Sequence, residues 1–198
     1  MENSRDAILR SIRAAQRLPT PLPEAPDIGI RYPDARQQFA KSVIEVGGRC
    51  VFVGDRRRLN EELEAVPEYA SARKIVSLVP GVRRANVDLP AVSDAHHLND
   101  VDFCVVAGEL GVAENGAVWV QEGSSPHRAV WFLAQHTALV LAASVIVDNM
   151  HQAYARLPVG GPGFAVFISG PSKTADIEQA LVIGAQGPRS CTVLVVDN

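Results

Sequence analysis

Two acidic residues in the segment GELGVAENGAVWV, Glu109 and Glu114, are the first candidates for chemistry. They stand on either side of a turn announced by Asn115-Gly116, a dipeptide that accepts turn geometry at low cost. If the turn brings both carboxylates into one pocket, partial burial raises a pKa and the pair can do acid–base work. A carboxylate so placed can also act as a nucleophile. The competing reading leaves both glutamates exposed or paired with arginines.

A second segment, GFAVFISGPSKTADIEQALVIG, reads as a buried strand, a tight polar turn and a helix carrying Ile177, Leu181 and Gly184 on one side. Free N–H groups at such a helix start, with the positive end of its dipole, can receive an anion. Ser172 and Thr174 supply hydroxyls and Lys173 a charge. The alternative is a well-capped helix in which Asp176 and Glu178 interact with the dipole. The turn lacks the upstream glycine of a nucleotide-hydrolysing phosphate loop, so nucleotide hydrolysis is not implied.

Between these segments lies SSPHRAVWFLAQHTALV. Arg128 there can clamp a carboxylate with two parallel hydrogen bonds. His136, just before a buried strand, is either a ligand-binding group or an edge histidine satisfied by its neighbours. The adjacent pair His96-His97 has no second cluster at metal-ligand spacing, so no metal site is expected.

These residues need a scaffold. Ile8, Ile12 and Ala15 mark a short amphipathic helix within residues 1–18, with Asn3 or Ser4 as its cap. Pro19, Pro21, Pro23 and Pro26 make residues 19–30 a stiff linker. Residues 31–198 are read as one α/β domain. A helix with Phe39, Val43 and Val46 on its buried side stops at Gly47-Gly48, and strand CVFV follows. Next come a helix bearing Leu59, Leu63 and Val66, then strands KIVSLV and VDFCVV. Strands AVWV and TALVLAA, a helix through DNMHQAYARL and a last strand CTVLVV complete the alternation. Near-continuous apolar strands between amphipathic helices predict a parallel or mixed sheet covered on both faces. Residues 80–100 show no period.

The 198 residues suit one core. A net charge of −3 without a basic run gives nucleic-acid binding no electrostatic footprint. The apolar stretch Ala138–Val147 is too short to span a bilayer, and the N-terminus lacks the apolar core of a signal peptide. A cytoplasmic location with no membrane partner is expected. Cys50, Cys104 and Cys191 sit in strand-like runs without close spacing and read as core thiols.

Together, GELGVAENGAVWV, AQHTALVLAASVIVDNM and SGPSKTADIEQALVIGAQGPRS resemble the lactate-utilization (LUD) domain family, specifically its C-type members, from about residue 35 onward. The resemblance implies a three-layer α/β/α sandwich related to sugar-phosphate isomerases and coenzyme A transferases. It implies a component of an L-lactate utilization system, in which iron–sulfur partner proteins support oxidation of L-lactate to pyruvate. This chain would hold no cofactor, the clusters belonging to the partners. The resemblance places Glu114 in an acidic turn, Arg128 and His136 in the central segment, and Ser172, Thr174, Asp176 and Glu178 in the signature turn. Lys173 stands where relatives often carry arginine, keeping charge but losing the planar fork. The expected catalytic residues are Glu114 and Glu109. Arg128, His136, Ser172, Lys173, Thr174 and Asp176 are the expected contacts to a small carboxylate or other anion. A second expectation comes from AENG, which resembles the SENG turn of coenzyme A transferases: acyl or coenzyme A transfer through Glu114.

Overall fold

Runs of apolar residues that escape polar interruption form the centre of the computed structural model, because only strands shielded on both faces tolerate them. The structure describes residues 3–15, 21, 23, 29–123, 127–157, 163–177 and 180–197. Helix α1 (Ser4–Ala15) begins at Asn3, whose side chain accepts a hydrogen bond from the Arg5 N–H at 3.2 Å. It has no buried residue. Most of the expected linker lies outside the described residues.

Helix α2 (Ala35–Glu45) is capped by Asp34, which accepts from the N–H groups of Arg36 and Gln37. Its spacing buries Phe39 and Val43, and Gly47 at φ 83° ends it. Then follow β1 (Arg49–Val53), α3 (Leu59–Glu64), α4 (Pro67–Ser71), β2 (Ile75–Ser77), β3 (Phe103–Ala107), β4 (Leu110–Val112) and β5 (Ala117–Gln121). The second half contains α5 (Val130–Leu133), β6 (His136–Ala142), β7 (Ile146–Val147), α6 (Met150–Arg156), β8 (Ala165–Ile168), β9 (Lys173–Ile177), β10 (Ala180–Ile183) and β11 (Ser190–Val196).

Five strands pair in the order β1-β11-β6-β3-β2, all parallel. Side chains alternate across this sheet. Phe103, Val105, Ala138 and Val140 meet Leu59, Leu63 and Tyr69 of α3 and α4 on one face. Cys104, Val106, Leu139 and Leu141 meet Phe39 and Val43 of α2 on the other. That second face also receives Val118 and Val120 of a four-stranded sheet ordered β7-β4-β5-β8. Helix α6 packs outside this smaller sheet through Ala153 against Leu110 and Val112. The α/β class and parallel sheet are as the sequence predicts; the layer on the α2 face is part helix and part sheet. Residues 80–100 run as turns with two short 3-10 segments, pinned by buried Leu89 and Leu98.

One predicted element is corrected. The segment read as a helix over ADIEQALVIG is an antiparallel hairpin of β9 and β10. Leu181 and Ile183 on it are 62% and 53% exposed, so neither of these apolar side chains meets a buried face.

Candidate functional site

The two glutamates of the first segment are separated by strand β4. Glu109 is exposed at the carboxyl end of β3 and lines a cleft of about 450 Å³ with Ser77, Asp88 and Glu122. Glu114 follows β4 at its far end, where its Oε1 accepts a 2.7 Å hydrogen bond from the Met150 N–H in the first turn of α6. The carboxylate thus satisfies an otherwise free helix donor. The expected convergence of Glu109 and Glu114 on one pocket is not found, because Glu114 does not line the Glu109 cleft and is turned to the α6 start.

The signature turn leads into a strand, so the anion-receiving helix start expected there is absent. Ser172 is instead tied to the GAQGP loop: its N–H donates to the Pro188 carbonyl at 2.8 Å, and its own carbonyl accepts from the Gly184 N–H at 2.9 Å. Lys173 donates through Nζ to the Val46 carbonyl, which occupies the charge expected to hold a ligand. Thr174 pairs with Val182 across the hairpin. Asp176 belongs to β9, and its side chain, like Glu178, lies outside the described residues. The acidic and signature turns do touch, through a 2.9 Å hydrogen bond from Ser169 Oγ to the Asn115 carbonyl.

Arg128 already holds a carboxylate. Its guanidinium donates to both oxygens of Glu122 at 3.0 and 3.1 Å and lies 5.0 Å from the centre of the Phe164 ring. His136 is half-buried at the amino end of β6, 2.8 Å from Ser190 Oγ and stacked on Phe103. Burial pushes its pKa below 6.5, and Arg189 acts in the same direction against Glu68 and Asp102. On the alternating strand it faces away from Thr137. The predicted ligand-binding residues therefore do not assemble into one site.

A group that the sequence reading passed over occupies the carboxyl edge of the parallel sheet. There a cleft of about 420 Å³ is lined by Gly54, Asp55 and Arg56 after β1, Ala107 at the end of β3, Ala142 at the end of β6 and Asp197 after β11. Open parallel sheets hold ligands at this edge. Its acids are engaged: Asp55 takes hydrogen bonds from Arg57, which hold its pKa down at about 2, and Asp197 pairs with Arg36 at 2.7 Å. Arg58 pairs with Glu61 and Glu62. Among the described residues Arg56 has no carboxylate partner. Its sequence signal is the run Arg56-Arg57-Arg58 directly after an apolar strand and Gly54-Asp55.

At the opposite edge, a cleft of about 310 Å³ lies under the two signature turns, with Trp131, Thr137, Phe132, Pro171, Ser172 and Pro188 in its walls. Burial raises the thiol pKa values to about 11 for Cys50 and about 12 for Cys104 and Cys191. Among the described residues, no group of three or more His, Cys, Asp or Glu could hold a metal ion, and His96 Nδ1 instead lies 2.7 Å from Asp94. No helix among them is long and apolar enough to cross a membrane.

The LUD domain model matches residues 92–196. Lactate utilization protein C of Halalkalibacterium halodurans is 28% identical over 161 residues, covering 71% of this chain and 70% of the relative. Its counterpart in Geobacillus sp. (strain WCH70) is 27% identical over 206 residues, covering 98% of this chain and 79% of the relative. The Geobacillus kaustophilus protein is 30% identical over 166 residues, covering 79% and 66%. A crystal structure of a DUF162 family protein from Deinococcus radiodurans superposes with a TM-score of 0.58 at 17% identity, covering 82% of this chain and 96% of that one. That likeness speaks to the fold.

Proposed function

The chain belongs to the LUD domain family, and we propose that it serves L-lactate utilization by binding a small carboxylate at Arg56, in concert with iron–sulfur partner proteins. The names of its relatives support the role. The observation that carries the site is Arg56, exposed and without a carboxylate partner among the described residues, lining the cleft at the carboxyl ends of the parallel strands. L-Lactate and pyruvate each present one carboxylate, and a guanidinium fork matches that group with two parallel hydrogen bonds. Neighbouring Arg57 and Arg58 are held by their own acids, which leaves Arg56, among the described residues lining the cleft, as the cation free to exchange partners. Cys50, Cys104 and Cys191 lie on three separate strands, and among the described residues no group of three or more His, Cys, Asp or Glu could hold a metal, which supports assigning electron transfer to partner proteins.

Two measurements test this reading. Deletion of the gene is expected to abolish growth on L-lactate, with recovery on re-expression; undiminished growth of the deletion strain overturns the role. Calorimetric titration with L-lactate and pyruvate is expected to show binding that weakens at least about tenfold in Arg56→Gln, the scale of a lost charge-assisted pair. Equal affinity in both proteins overturns the site and leaves the role standing.

A further inference from the structure

We propose that the cleft under the signature turns binds a neutral carbonyl compound with an apolar body. This site lies at the amino ends of β6 and β11 and is independent of the Arg56 cleft at their carboxyl ends. Its walls are mainly apolar, from Phe132 of α5, Pro171 and Pro188 of the turns, and Val166 and Ile168 of β8. Two of its polar residues stand out. Trp131 Nε1 and Thr137 Oγ1 are buried without a hydrogen-bond partner among the described residues, and both residues line the cleft at 1% and 2% exposure. Buried polar groups in folded proteins are nearly always satisfied, so each one left over calls for an explanation.

The chemistry of the two atoms selects the ligand. An indole N–H is only a donor, and a threonine hydroxyl rotates to donate or accept. Each can donate to an oxygen acceptor. A carboxylate is the poorer match, because burying a charge requires a paired cation. Lys173 is the cation in the lining, and it is exposed and bonded to the Val46 carbonyl. A ketone, ester or amide oxygen can accept from either donor without bringing in a charge, while the apolar walls take up its hydrocarbon part. Ser172 and Pro188 are locked together by the hydrogen bond between the turns, so the mouth is fixed by the loops that distinguish this sequence.

Nuclear magnetic resonance tests the proposal directly, because the chain has two tryptophans and hence two indole N–H resonances. Trp119 Nε1 also lacks a partner, but Trp119 does not line the cleft; its resonance is the internal control, assigned with Trp119→Phe. Three probes share one ring: acetophenone carries a neutral carbonyl, ethylbenzene no acceptor, and benzoate a charge. Acetophenone is expected to move the Trp131 indole resonance downfield and leave that of Trp119 in place. Ethylbenzene and benzoate are expected to bind at least about fivefold more weakly, and Thr137→Val to weaken acetophenone by about fivefold, the scale of one neutral hydrogen bond. A Trp131 resonance that stays put at saturating acetophenone overturns the proposal, as it would if ordered water already held both atoms. Equal binding of ethylbenzene overturns the hydrogen-bonding role, and tighter binding of benzoate overturns the neutral ligand class.

Discussion

The two clefts sit at opposite ends of the same strands, and they differ in how their polar groups are spent. At the carboxyl edge the acids of the cleft are paired with arginines, and Arg56 is left exposed without an acid among the described residues. At the amino edge the lining is apolar and the leftover groups are buried. An exposed charge without a partner costs little, because water solvates it, whereas a buried donor without one costs the desolvation of that group. The comparison therefore predicts that changes at the amino edge act on stability as well as on ligand affinity, whereas changes at the carboxyl edge act on ligand affinity with little effect on stability.

Backbone substitution gives the largest separation. Gly170, in the signature turn, has φ 70°, and a Cβ there would stand 2.5 Å from the Val46 carbonyl oxygen. Gly54, at the other cleft, meets nothing within 4 Å. Gly170→Ala is expected to cost about 3 kcal/mol from strain and collision, and Gly54→Ala to stay within about 0.5 kcal/mol. Urea unfolding checks both. Equal costs would mean that the turn over the amino-edge cleft is not the rigid wall described here.

The next largest effect has the opposite sign. Replacing Thr137 by Val exchanges an unpartnered hydroxyl for a methyl group of nearly the same shape, and is expected to stabilise the ligand-free protein by about 1 kcal/mol. The same change weakens acetophenone, so stability and binding move in opposite directions. A destabilised Thr137→Val would mean that the hydroxyl is already satisfied in solution, and the difference between the clefts would narrow.

Sequence pattern predicts the central strands and α3 correctly but a helix where β9 and β10 form a hairpin, and the residues themselves explain the difference. The strands FCVVA and SCTVLVV are buried almost throughout, so an uninterrupted apolar run could only be a central strand. In α3, Leu59 and Leu63 recur with the helical period and are both buried. The hairpin offered no such check. Ile177 and Leu181 are four apart and suit a helix, while Leu181 and Ile183 are two apart and suit a strand, and short segments satisfy both periods. Strands β4 and β7, of three and two residues, are too short to leave a pattern. Arg56 was visible as part of a charge run, but which of three adjacent arginines lacks an acid depends on folding. The unpartnered state of Trp131 and Thr137 has no sequence signal at all.

The smallest effect separates two consecutive residues. His136 and Thr137 leave β6 on opposite faces, so titrating the first should not reach the cleft lined by the second. Burial holds the folded pKa of His136 below its ordinary 6.5, so between these two values the unfolded chain binds more protons than the folded one. Stability consequently rises with pH through that window, is complete above about 6.5, and declines as pH falls toward the folded value. Because the ring is half-exposed, the loss should be only about a few tenths of a kcal/mol after solvent screening. Melting curves of the wild type and His136→Gln between pH 5 and 7.5 isolate it: the variant should lack this increment of slope. Acetophenone affinity should stay level over the same range. If affinity instead follows the histidine, the two faces of β6 are coupled, and the amino-edge cleft includes a proton-responsive group that its lining does not reveal.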